Sequence, residues 1–155
     1  MNIFLPQKHF HYLFISLLCS LFFTNSAKSQ TLDLNISNIK SSGQVCIMIF
    51  QSPDTFHKYK KASNCLTSAS NVFGYKVDVK SGEKLNKKIN LGSGTYAVKV
   101  FLDKNHNAKL DYFLGFAKEP IGYSNNPKTQ LGFNQPYFSE IEFALYGTKK
   151  LEIKL

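Results

Sequence analysis

Apolar and polar residues alternate with a period of two in six short stretches of this chain, and no stretch of convincing length carries a helical period. A strand turns successive side chains to opposite faces, so each such stretch has one apolar and one polar face. TLDLNIS places Leu32, Leu34 and Ile36 together. YKVDVK does the same with Tyr75, Val77 and Val79, and LNKKINL with Leu85, Ile89 and Leu91, Lys87 interrupting the face. After the turn at Gly92-Ser93-Gly94, GTYAVKVFLD aligns Tyr96, Val98, Val100 and Leu102. EIEFALY aligns Ile141, Phe143 and Leu145, and KKLEIKL aligns Leu151, Ile153 and Leu155. QVCIMIF is apolar on both faces and therefore reads as a central strand. Seven short strands of this kind predict an all-β domain, an antiparallel β-sandwich of two sheets, with too few strands for a typical closed barrel.

Two stretches break the rhythm. Residues 51–71, with Pro53, Phe56, His57 and Tyr59, are expected to hold a helical turn. Residues 104–139 run far beyond the ~12 to 15 residues at which an unpatterned connection becomes unusual in a compact domain. They carry Tyr112, Phe113, Phe116, Tyr123, Phe133, Tyr137 and Phe138, a composition too aromatic for disorder. The expectation is one long irregular, aromatic-rich loop packed on the domain.

At the N-terminus, Lys8, the apolar run from Tyr12 to Phe23 and the small-residue site Ala27-Lys28-Ser29 have the layout of a secretory signal peptide. The run is short of the ~18 to 20 residues needed to span a bilayer, so no transmembrane anchor is expected in the mature chain. The expected organisation is a signal peptide over residues 1–29 and a single β-sandwich domain over 30–155, periplasmic or extracellular after cleavage. Loss of Cys19 with the signal leaves Cys46 and Cys65 in a compartment where disulfides persist. A Cys46–Cys65 disulfide is expected, with two buried thiols as the alternative.

The chain has 19 lysines and no arginine against 10 acidic residues. That balance invites anionic partners, yet a reader of nucleic acid or phosphate normally uses arginine's planar fork for bidentate contacts. No nucleic-acid partner is expected. Lys76, Lys80, Lys84 and Lys88 alternate with other residues at strand spacing, as on the solvated face of a sheet, where lysine also protects edges.

DKNHNAKLD, residues 103–111, is an oxygen ladder. Asp103, Asn105 and Asn107 offer side-chain oxygens at alternate positions, Lys109 a backbone carbonyl and Asp111 a second carboxylate, which is how a loop wraps calcium. Leu114 stands where an EF-hand has its bidentate glutamate, and Lys104 and Lys109 offset the two carboxylates. The alternative is a polar turn, since Asn and Asp tolerate left-handed backbone and form Asx turns. Calcium, bound weakly and structurally, is the one cofactor expectation.

GTYAVKVFLDKNHNAKLDYFLGFAKEPIGYSNN, continuing to QPYFSEIEFAL, resembles the exported bacterial proteins grouped as the domain of unknown function 2141 family. The likeness rests on Gly94-Thr95-Tyr96 leading a strand, the Asp/Asn ladder, Leu114-Gly115, Glu119, Gly122-Tyr123-Ser124-Asn125-Asn126, Pro136, Phe138 and Phe143. The resemblance implies an exported sandwich of the prealbumin or carboxypeptidase-regulatory type, with no established activity, and the expected fold is prealbumin/immunoglobulin-like. Family members generally look like DxNGNGxLD where this chain has His106 and Ala108, a departure that touches the calcium inference and not the fold.

No catalytic residues are assigned. The mature chain has two histidines, His57 and His106, in separate irregular stretches, and GSGTY lies between strands without the helix a phosphate cradle requires. The expected role is non-catalytic binding, by a monomer, of a protein or glycan of the cell envelope. Tyr112, Phe116, Tyr123 and Tyr137 are the aromatic candidates for contact, with Glu119, Asn125 and Asn126 as polar ones. Each has a structural alternative, as ring packing under the loop or as a hydrogen bond to loop backbone. A carrier of a small apolar ligand and a purely structural accessory domain are the other readings.

Overall fold

The structure, a computed structural model, describes residues 29–59, 64–65, 69–128 and 135–155. The expected signal peptide lies outside the described residues except for Ser29, and so does Phe133. Strands β1 (Gln30–Ser37) and β2 (Gly43–Phe50) lead to helix α1 (Pro53–Tyr59), and β3 (Val72–Val79), β4 (Leu85–Leu91) and β5 (Gly94–Asp103) follow. The stretch expected as one irregular loop contains three short strands, β6 (Tyr112–Phe113), β7 (Phe116–Ala117) and β8 (Ile121–Tyr123), and a single helical turn, α2 (Phe138–Ile141). β9 (Glu142–Leu145) and β10 (Thr148–Lys154) close the chain. Each of the six alternating segments, and the doubly apolar QVCIMIF, contributes a strand.

The strands form an all-β sandwich. One sheet has the order β10-β1-β4 and the other β3-β2-β5-β8, with β9 pairing the first half of β5 where β8 pairs the second. β6 and β7 make a separate hairpin. Among the described residues every ladder is antiparallel except one: β1 and β10 run parallel, from Thr31 opposite Thr148 to Ser37 opposite Lys154. A parallel pair needs a long crossover, and nearly the whole domain lies between these two strands.

The alternating faces meet as the alternation predicts. Leu32, Leu34 and Ile36 of β1 bury against Val45, Ile47 and Ile49 of β2 and Val98, Val100 and Leu102 of β5, with Leu151 and Ile153 of β10 in the same core. Lys87, which interrupts the apolar face of β4, holds its ammonium 5.0 Å from the centre of the Tyr75 ring, an aromatic face on which a cation is favourable.

A second core lies on the opposite face of β2 and β5. Cys46, Met48 and Phe50 from β2 and Ala97 and Phe101 from β5 pack there with Phe56, Cys65, Leu110, Tyr123, Phe138 and Ile141. Ile141 accordingly parts from Phe143 and Leu145, because the chain is helical through Ile141 and becomes a strand only at Glu142. Helix α1 starts with Pro53, whose fixed φ suits a first helical position, and the Ser52 hydroxyl accepts the Thr55 amide at 3.3 Å. Its one buried side chain, Phe56, meets Phe50 edge-on at 5.3 Å and Phe138 at 6.0 Å. This layer carries Leu110, Tyr123 and Phe138 of the irregular stretch against the sandwich.

Candidate functional site

The Asp103–Asp111 loop begins where β5 ends and is closed by its own polar groups. The Asp103 carboxylate is fully buried and accepts the amides of Asn107 at 3.3 Å and Ala108 at 2.6 Å. Asn105 and Asn107 form Asx turns, their side-chain oxygens accepting the amides of Asn107 and Lys109 at 3.2 and 2.7 Å. Their side-chain nitrogens converge on the Asp111 carboxylate, at 2.8 Å from Asn105 and 3.2 Å from Asn107. His106 and Ala108 have φ of 58° and 62°, the left-handed backbone that glycine adopts freely. Glu119, buried beside the loop, braces both ends: its carboxylate accepts the amide of Lys104 at 2.8 Å and that of Asp111 at 3.2 Å.

Downstream, Gly122-Tyr123-Ser124-Asn125-Asn126 is a clamp. The Ser124 hydroxyl accepts the Val98 amide at 2.9 Å and donates to the Ile141 carbonyl. The Asn125 side chain donates to the carbonyls of Glu140 and Glu142 at 3.2 and 3.0 Å. Asn126 bonds both ways to β10, donating to the Glu152 carbonyl at 2.8 Å and accepting the Lys154 amide at 2.9 Å. Gly122 is required here, since a Cβ would lie 2.7 Å from both Ile153 Cγ2 and the Lys154 carbonyl oxygen. Tyr123 is buried, and burial raises its phenol above the usual range, the neighbouring Tyr112 adding to the shift.

The candidate contact residues thus divide. Tyr123, Glu119, Asn125 and Asn126 hold the stretch to the sandwich. Tyr112, Phe116 and Tyr137 are exposed by 40, 38 and 71%. Gln135 donates to the Tyr112 hydroxyl at 3.4 Å, which brings the hairpin near Tyr137.

The family described as "Uncharacterized protein conserved in bacteria (DUF2141)" matches residues 34–154. The chain belongs to this family. No curated protein and no solved structure matches it. The DUF2141 match runs from β1 to β10, so it takes in both sheets, the Asp/Asn loop, its Glu119 brace and the clamp.

The calcium expectation meets a loop with its oxygens in use. An ion takes six to eight oxygens, whereas both side-chain oxygens of Asp103 and the single ones of Asn105 and Asn107 already accept amides. Asn105 and Asn107 present side-chain nitrogen, not oxygen, to the Asp111 carboxylate, and only rotation of the two amides would turn oxygen toward it. Such a rotation would give up the Asx-turn bonds to the Asn107 and Lys109 amides. Among the described residues, no group of three or more His, Cys, Asp or Glu is placed to hold a metal. His57 lies in the last turn of α1, and His106 is exposed in the loop.

The expected disulfide is not what the structure holds: Cys46 and Cys65 are buried free thiols. Cys65 donates to the Tyr75 carbonyl at 3.1 Å, and its amide donates to Ala108 at 3.2 Å, tying it to the Asp/Asn loop. A hydrogen bond between the two thiols, together with burial, holds Cys46 well above the usual thiol range.

Lys99 is the residue that sequence reasoning missed. It is fully buried on β5, in register with Met48 and Tyr123, and burial pushes its ammonium down to about 8. Ala97 and Phe101, its neighbours on the same face of the strand, were the available signal that this face is covered.

Proposed function

We propose that this protein is an exported, non-catalytic module that binds a protein or glycan of the cell envelope through Tyr112, Phe116 and Tyr137. One observation carries the reading: these aromatic side chains remain exposed on a stretch that the buried Glu119 brace and the Ser124–Asn126 clamp fasten to the sandwich. Held aromatic rings lose little conformational entropy on contact, which suits sugars and protein hot spots. The Asp103–Asp111 loop is proposed to take calcium with a Kd of ~0.1 to 1 mM, as a structural ion. Cys46 and Cys65 are proposed to join after export, giving two protons and two electrons to a disulfide-bearing oxidant and becoming a disulfide.

The test is capture of envelope protein and glycan fractions by the immobilised protein. Tyr137→Ala and Tyr112→Ala should each lose most of the captured material while keeping the wild-type melting temperature. Undiminished capture by both variants would refute the assignment of the contact face.

A further inference from the structure

The tip of the β6–β7 hairpin has a character that partner binding does not use. Phe113 and Leu114 are exposed by 64 and 79%. Leu114 and Gly115 form the turn with φ of 49° and 84°, a conformation that favours Asn-Gly and penalises a leucine Cβ. An apolar, poorly suited residue therefore stands exposed at the turn of the hairpin.

Lysines flank the base. Lys118 donates its amide to the Asp111 carbonyl at 2.8 Å, next to the hairpin's first strand, and Lys109 lies two residues before Asp111; both side chains are exposed. The nearby carboxylates are engaged, Asp111 by the Asn105 and Asn107 amides and Glu119 by backbone amides. Lysine is depleted in protein interfaces, whereas an apolar tip with a cationic collar complements an anionic bilayer, rings and aliphatic groups entering the acyl boundary and ammoniums meeting phosphates.

We propose that the β6–β7 hairpin docks this protein on an anionic lipid surface, with Phe113 and Leu114 entering the interface and Lys109 and Lys118 contacting the headgroups. This docking is separate from partner capture and does not require it.

Flotation of the purified protein with vesicles tests it. The wild type should float with phosphatidylcholine vesicles containing phosphatidylglycerol and stay behind with phosphatidylcholine alone. Phe113→Ser combined with Leu114→Asn should weaken flotation about tenfold or more. Leu114→Asn alone suits the positive φ of the turn, so it should weaken flotation with an unchanged or higher melting temperature. Lys109→Gln with Lys118→Gln should weaken it by about tenfold, and added salt should do the same. Tyr137→Ala should float like the wild type, which separates docking from partner capture. No flotation of the wild type, undiminished flotation of Leu114→Asn, or association only with vesicles that carry envelope proteins would overturn the proposal.

Discussion

Replacing Lys99 with methionine should stabilise the protein most near neutral pH and remove a rise in stability that the wild type gains in alkali. Lys99 is fully buried between Met48 and Tyr123 of the neighbouring strands. Its surroundings solvate a charge poorly, so the ammonium falls from an ordinary 10.5 to about 8. Between those values the unfolded lysine is protonated and the folded one is not. Unfolding then takes up a proton, and stability rises with pH. Below the folded value both forms are charged and the full cost of burial is present. At about 1.4 kcal/mol per pH unit that cost is about 3 kcal/mol, or on the order of 10 °C in melting temperature for a domain of this size. Methionine has similar length and no charge. The stability difference between variant and wild type should therefore be largest near pH 7 and vanish toward about pH 10.5. Tyr96, Tyr112, Tyr123 and Cys46, all raised in the folded state, act in the opposite direction in alkali. Taking the difference between the two proteins cancels them. Urea unfolding followed by far-ultraviolet circular dichroism across this range makes the measurement, and a difference that stays constant with pH would refute the reasoning.

Glu119→Gln keeps one of the two oxygens that brace the Asp/Asn loop, so stability should fall by about 1 to 3 kcal/mol and trypsin should cut faster at Lys104 and Lys109; unchanged cleavage would mean the brace does not hold the loop. Calcium at ~10 mM should add about 1.4 to 2.7 kcal/mol if the Kd is ~0.1 to 1 mM. Asp111→Asn should abolish that gain, magnesium should not reproduce it, and a flat melting temperature in calcium would leave the loop as a turn. Oxidised protein should be about 3 kcal/mol more stable than reduced protein, the value for closing a ~20-residue loop, with Cys46→Ser removing the difference; equal melting in both states, with thiol counts confirming them, would exclude a stabilising disulfide.

The six alternating segments became strands because alternation is a local consequence of strand geometry, decided by each segment's own residues. The Asp/Asn ladder was legible for the same reason: Asn and Asp bond backbone amides two to five positions along, whatever the rest of the chain does. Glu119 and Asn126 were legible only as candidates. Glu119 reaches Lys104 fifteen residues back, and Asn126 reaches β10 twenty-eight residues on, and nothing local announces such partners. Lys99 carried the least signal, being one of 19 lysines and set on a strand whose other face was plainly the apolar one.

By itself, then, the sequence determined the strand segments, the face most of them bury in the sandwich core, and the Asp/Asn ladder after β5. Tertiary structure alone decided that β1 pairs parallel with β10, that β5 is buried on both faces as β2 is, and that Tyr123 is interior while Tyr137 is not. Periodicity records which way a side chain points along its own strand. What covers that side chain is set by segments distant in sequence, whose approach depends on the packing of the whole chain.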